Sequence, residues 1–416
     1  MEQKARSALF AFLISLVCTL FCFCLHVLPS SNSMVNLRMP SAGVQKPFIS
    51  DEYLQVVVEF HKEHPAFAKR PITTYLSETL DRITSLSIGE AFTAVSFVSL
   101  LLCGVALYYL AALTGSTAKE AALSIIGFFS SFSILFAFFP PIYTYDEPIH
   151  YLLVYMSLIF LRQERWLPFI FLFSLSLVAR ESSLILLPGA AMLVIYADQD
   201  SKTSIWKLSI LLAPVAIYVL YLVLFITGSG IEDASKQDFV GRLEHFKYNF
   251  QSIKFALEAL LSFFLALGFQ TYLLCSYASR KHLSVTERKF IAAFIITLAL
   301  NTVIVYFTTW ARESRLLALP LLFLWPILGK IAQSEFQYIK AKVRASTHNE
   351  ILRWLPLFTT LAIVIIYITQ KVYFQTIGSI SDNLFNEYTA IILIFLVAHA
   401  ILRFMLKPKS PMKDER

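Results

Sequence analysis

The chain is poor in charge. Of 416 residues only 15% are Asp, Glu, Lys or Arg, while 57% are hydrophobic and 15% aromatic, including 37 Phe. A soluble globular chain carries about 25% charge and about 45–50% apolar residues. With a mean hydropathy of +0.65, this deficit excludes a disordered chain, a disulfide scaffold and a soluble enzyme of ordinary composition. The five cysteines (18, 22, 24, 103 and 275) sit inside apolar runs, without paired C-x-x-C spacing, and read as small packing residues. There is no Walker loop, no G-x-G-x-x-G after a strand and no G-x-S-x-G elbow. No dense basic tract interleaved with aromatics points to nucleic acid, so the net charge of +7 needs another explanation. The chain also lacks any linker or low-complexity tract, and reads as one polytopic membrane domain over 1–416.

What is present is a series of apolar runs. A hydrocarbon core of ~30 Å needs about 20 helical residues. Runs near 8–29, 91–113, 121–139, 142–161, 165–179, 182–197, 206–228, 256–278, 290–309, 316–332, 355–374 and 389–403 predict an all-α bundle of about twelve spans (11–13). The first run follows Lys4 and Arg6 and is long for a cleaved signal, so it reads as a retained anchor. With the N-terminus inside, Lys119, Arg162, Arg165, Lys202, Lys207, Arg280, Lys281, Arg288, Lys289, Lys340, Lys342, Arg344 and Arg353 fall in cytoplasmic connections, and 404–416 is a basic cytoplasmic tail. The short outer connections hold only Arg180, Arg312, Arg315 and Lys371. This asymmetry obeys the positive-inside rule. Residues 30–90 form a long outer loop with amphipathic helices expected around 50–64 and 72–86, the first capped by Ser50. Residues 229–255 form a second outer segment.

Ionisable groups at membrane depth are costly and therefore functional candidates. Four clusters share the outer side: Ser50-Asp51-Glu52-Tyr53, Tyr145-Asp146-Glu147-Pro148, Ala179-Arg180-Glu181-Ser182, and Trp310-Ala311-Arg312-Glu313-Ser314-Arg315. Plainer readings stand beside these. Asp51 suits a helix start, Asp146 suits an N-cap before Glu147-Pro148, and boundary arginines snorkel. Yet Arg180, Arg312 and Arg315 precede inward-running helices, where positive charge opposes the macrodipole and asks for an anion, either Glu181 and Glu313 or a phosphate. The segments ARESSLILLP (179–188) and ARESRLLALP (311–320) match each other without a wider repeat. His61, His64 and His150 lie near the acidic clusters, where they would help bind a cation or remain surface histidines. Asp198-Gln199-Asp200 reads as a solvated loop.

This order of outer motifs resembles the GT-C superfamily of integral-membrane glycosyltransferases, the group of protein O-mannosyltransferases and lipid A aminoarabinose transferases. The likeness covers roughly residues 1–330. It implies Asp51 as the first-loop acid and general base with Glu52 its partner, and Asp146 and Glu147 as the second acidic position. It further implies Arg180, Arg312 and Arg315 on the donor phosphate, with Glu181, Tyr145 and His150 among the substrate-binding residues. A polyprenyl-phosphate sugar is the implied donor, to a glycan, lipid or protein acceptor. The developing phosphate charge would be met by arginines or by a divalent cation on the acidic pair, Asp51 and Asp146. The soluble C-terminal domain of larger members is absent, which leaves the acceptor class open. A transporter or flippase of lipid-linked glycans, or a glycan polymerase or ligase, is the competing expectation. The absence of any N-x-S/T sequon points to a bacterial cytoplasmic membrane, with the active face outside.

Overall fold

In the computed structural model, which describes residues 2–27, 51–138, 145–195, 201–229, 241, 244–373 and 385–405, every regular element is helical and no strand occurs among the described residues. Among the described residues, seven helices are long and apolar enough to cross a membrane: Arg6–His26, Ile88–Leu113, Ile205–Gly228, Ile253–Ala278, Val285–Thr308, His348–Val372 and Phe385–Phe404. The apolar side chains on their outward surfaces, such as Val17, Leu212, Val303 and Ile363, are exposed. That pattern is stable only where the surrounding solvent is itself apolar.

The other five stretches expected as spans are helical but differ from a simple crossing. The third is broken at Ser130-Ser131 into Ala118–Phe129 and Phe132–Ala137. The fourth begins at Glu147 and runs to Arg162. Trp166–Ala179 has 14 residues, about 21 Å of helix, and Glu181–Ile195 opens with a 3-10 turn over Glu181–Leu186. Leu321–Ala345 reaches well past the expected end near 332. Lys342 and Arg344, expected in a connecting loop, instead occupy its last turn, where positive charge favours the helix C-terminus.

Among the described residues, four helices open on an S/T-x-x-E capping box: Ser87/Glu90, Thr117/Glu120, Ser284/Glu287 and Thr347/Glu350. In each, the hydroxyl and the carboxylate satisfy one another's orphan amides. The centre of the bundle is the first half of Leu321–Ala345, where residues 321–328 are buried on every side, including Trp325 and Pro326. A helix apolar all round must lie inside. Gly329 permits its closest approach: a Cβ there would stand 1.8 Å from the Glu120 carbonyl oxygen. Its amide donates to the Ser124 hydroxyl at 3.0 Å. Such small-residue contacts are how membrane helices gain packing without a hydrophobic drive.

Helices also lie at Asp51–Glu63 and Pro71–Ile83, in the segment expected as a long outer loop. Ser50, expected to cap the first, and the side chain of Glu52 lie outside the described residues.

Candidate functional site

Pro148 sits in the first turn of the Glu147–Arg162 helix, where a missing amide costs nothing. Asp146 immediately precedes it but makes no capping bond. Its carboxylate instead accepts a hydrogen bond from the Thr73 hydroxyl at 2.8 Å, across to the Pro71–Ile83 helix. Thr74, next along, shares a 2.8 Å hydrogen bond with the Tyr145 phenol. The Tyr145 ring stacks on His61 at 3.7 Å and 9°, and His61 Nδ1 donates to the Val57 carbonyl at 2.9 Å. Tyr145 and Asp146 therefore dock the 51–83 segment onto the bundle.

Asp146 is 2% exposed. Burial pushes its carboxyl up to about 7, against the pull of Arg70 and the Thr73 hydroxyl. Burial also draws His61 down to about 4, with Arg70 and Arg315 adding to it. At neutral pH His61 is neutral, while Asp146 stands between its two forms.

Glu147 is 3% exposed. It receives Arg180 at 2.5 Å and Arg315, both on the same oxygen. Arg315 also binds Glu313 through two nitrogens at 3.1 and 2.8 Å. Glu181 does not neutralise its neighbour Arg180. It takes a bidentate pair from Arg70, 2.7 and 2.5 Å long, with Lys69 at 3.5 Å. Burial alone would raise the Glu181 carboxyl, but the Arg70 charge and hydrogen bonds hold it well below the usual carboxylate range.

These groups enclose a cavity of about 310 Å³, whose charged lining is Arg70, Arg180 and Arg315 against Glu147 and Glu181. Three guanidiniums face two carboxylates in the lining, and just outside it Glu313 pairs with Arg315 and Lys69 with Glu181. His150, Ser182 and Asn301 add polar groups, and Leu184, Ile185, Ile304, Leu316 and Leu319 complete an apolar wall.

Four of the expected residues thus line one chamber with Arg70: Glu147, Arg180, Glu181 and Arg315, and His150 makes a fifth. Asp146 and Tyr145 stand directly behind them. Asp51 and Arg312 lie away from it. Asp51 accepts from the Ser87 hydroxyl at 2.6 Å and the Gly89 amide at 3.0 Å, and so closes the start of the Ile88–Leu113 helix. Arg312 reaches Glu258 at 3.3 Å and lies over the rings of Phe255 and Trp310. The repeated ARES segments are therefore not equivalent, since Arg315 rather than Arg312 shares Glu147 with Arg180. Arg70, Thr73 and Thr74 did not stand out in the sequence; Arg70 directly ahead of a helix-opening Pro71 was the available sign.

The donor set does not fit a divalent cation. Asp51 and Asp146 engage different elements, and Glu147 takes two arginines on one oxygen and the Tyr145 amide on the other. No group of three or more His, Cys, Asp or Glu able to hold a metal occurs among the described residues. The chain matches no family model, and neither curated proteins nor solved structures give a match.

Proposed function

We propose that the chain is a GT-C-type membrane glycosyltransferase that moves a sugar from a polyprenyl-phosphate donor to a lipid, glycan or protein acceptor on the extracytoplasmic face of a bacterial cytoplasmic membrane. One observation carries this reading. Three guanidiniums converge on one chamber, and its wall has an apolar side that includes Ile304, beside the exposed Val303 of the Val285–Thr308 helix. A lipid phosphate needs that combination: a planar cationic clamp for the phosphate and an open apolar flank for the chain.

In this reading Asp146, rather than Asp51, serves as base: it stands next to the lining residue Glu147 but outside the lining itself, so the acceptor hydroxyl has to displace Thr73 to reach it. It accepts the proton of the acceptor hydroxyl as that oxygen attacks the anomeric carbon. The bond from the anomeric carbon to the phosphate oxygen breaks through an oxocarbenium-like state, and the electron pair leaves with the polyprenyl phosphate. Arg180 and Arg315 stabilise the departing phosphate. Glu147 holds both guanidiniums in place, and Asp51 anchors the segment that carries Thr73. A transporter would place its charges near the bilayer midplane on broken helices; here they gather where helices begin and end.

The test is turnover of polyprenyl-phosphate-linked labelled sugars by the purified chain in liposomes. The expected result is release of free polyprenyl phosphate, lost in Asp146→Asn and in Arg315→Ala. Absence of sugar release from every donor, with transbilayer movement of the intact lipid instead, overturns the assignment in favour of a flippase.

A further inference from the structure

The phosphate chemistry leaves part of the same chamber unused. His150 lies one turn into the Glu147–Arg162 helix, lines the cavity and is fully buried. Its Nε2 is 2.7 Å from the Ser183 hydroxyl. Ser183 spends its own proton on the Ser176 carbonyl at 3.1 Å, so towards the imidazole it can only accept. Nε2 therefore carries the ring proton, and Nδ1 carries a lone pair. That Nδ1 has no hydrogen-bond partner among the described residues, and neither has the hydroxyl of Ser182, which lines the same wall. Leaving a buried acceptor unpaired is costly, and sites bear that cost where a ligand supplies the missing donor.

The sign of the two walls differs. A neutral imidazole lone pair repels an anionic oxygen and attracts an O–H, whereas Arg180 and Arg315 do the reverse. A molecule with an anionic end and a hydroxylated end can satisfy both walls in one orientation only.

We propose that His150, locked as the Nε2–H tautomer by Ser183, is a specificity-determining subsite that accepts a hydrogen bond through Nδ1 from a hydroxyl of the donor sugar, with Ser182 beside it. This rests on the phosphate reading of the chamber and adds its second pole. The glycosylated lipid phosphate gains a bond that a phosphodiester of equal charge without a sugar cannot make.

The experiment measures binding of synthetic probes to the full chain in detergent: farnesyl methyl phosphate, a diester without a sugar, and farnesyl phosphate esterified to glucose, galactose or mannose, which carries the same charge. The wild type is expected to bind at least one glycosylated probe on the order of ten-fold more tightly than farnesyl methyl phosphate. His150→Phe should erase that preference while farnesyl methyl phosphate still binds. His150→Gln, whose amide oxygen still accepts, should keep part of it. A wild type without preference, or a His150→Phe variant with the full preference, overturns the subsite and leaves the phosphate reading standing. Should His150→Phe fail to fold, Ser183→Ala decides, because an undiminished preference with the ring unlocked overturns the assignment. Binding of neither kind of probe by the wild type removes the phosphate reading itself, and the subsite with it.

Discussion

Arg70 and Glu181, 111 residues apart, are joined by two hydrogen bonds of 2.7 and 2.5 Å. This pair ties the 51–83 segment to the mouth of the chamber, and Tyr221 reinforces it by donating to the Lys69 carbonyl at 2.9 Å. The residue that completes the cationic lining is thus delivered by a segment outside the apolar bundle. Assembly of the site and docking of that segment are one event.

Breaking the pair should release the segment. Removing one partner of a largely buried ion pair costs on the order of 3–5 kcal/mol, because the other charge is left uncompensated. Arg70→Ala is expected to raise hydrogen exchange across Pro71–Ile83, and the double variant with Glu181→Gln should cost less than the sum of the two single ones. The pH sign follows from the depressed Glu181 carboxyl. Its contribution is fully present above the ordinary glutamate value, ~4.3, and is lost only as pH falls through the depressed native one. The share of Pro71–Ile83 protection that Glu181 carries, read as the difference between wild type and Glu181→Gln and corrected for intrinsic exchange, should stay level between about pH 5 and 8.

Asp146 has the opposite sign. Burial raises its carboxyl to about 7, so a base role requires activity to climb with pH through about 7 and level off above it. Stability should move the other way: the native state holds the proton more tightly than the unfolded chain, so its contribution declines as pH rises from about 4 to about 7. Asp146→Asn should abolish transfer and flatten the stability trend. Initial rates and thermal melts over the same pH series check both.

The helical membrane class was legible because apolar helices declare themselves by composition alone. Span ends were less so. Leu321–Ala345 outruns its apolar stretch because capping and end charges, rather than hydrophobicity, decide where a helix stops. The charge clusters at Glu147, Arg180, Glu181 and Arg315 were visible because charge is scarce inside apolar runs. Arg70 and Thr73 were not, since in a polar segment one cation or hydroxyl looks like another until tertiary packing selects it. Asp51 and Asp146 illustrate the limit: both are acids at helix starts, and only the elements packed against them separate a helix anchor from a buried carboxylate.

That separation is testable at Asp51. Its carboxylate meets the Gly89 amide so closely that a Cβ on Gly89 would stand 2.3 Å from the oxygen. Loss of a carboxylate that closes a helix start costs about 1 kcal/mol. Asp51→Ala should lower the melting temperature modestly and leave measurable transfer activity, and Gly89→Ala should do the same by displacing the carboxylate. Complete inactivation of a folded Asp51→Asn protein would return the base role to Asp51.

Gly329 tests the core independently of the site. A methyl group there meets the Glu120 carbonyl and the Ser124 amide, which are backbone and cannot step aside. Overpacking of this kind typically costs about 1–3 kcal/mol, and separation of the two helices would also strip the Gly329 amide of its Ser124 partner. Gly329→Ala should therefore destabilise the protein in thermal unfolding far more than alanine substitution at an exposed helical glycine such as Gly228.

Arg312 and Arg315 share one local sequence and differ in what they touch, which makes them a matched pair for the phosphate assignment. Arg312 is spent on Glu258 and on two aromatic rings, where a guanidinium contributes through cation–π contact and an ion pair. Its loss should lower stability by about 1–2 kcal/mol and leave the affinity for farnesyl phosphate within about two-fold. Arg315 lines the chamber and shares Glu147 with Arg180. Arg315→Ala removes a phosphate donor and one of the two charges that balance a buried carboxylate, and should weaken farnesyl phosphate by on the order of ten-fold or more. Arg315→Lys should not restore it, because an ammonium cannot make the forked contact. Binding titrations alongside melting curves for the two alanine variants read both effects. Equal loss of affinity at the two positions would mean that the phosphate is held by the field of the whole basic cluster rather than by this chamber.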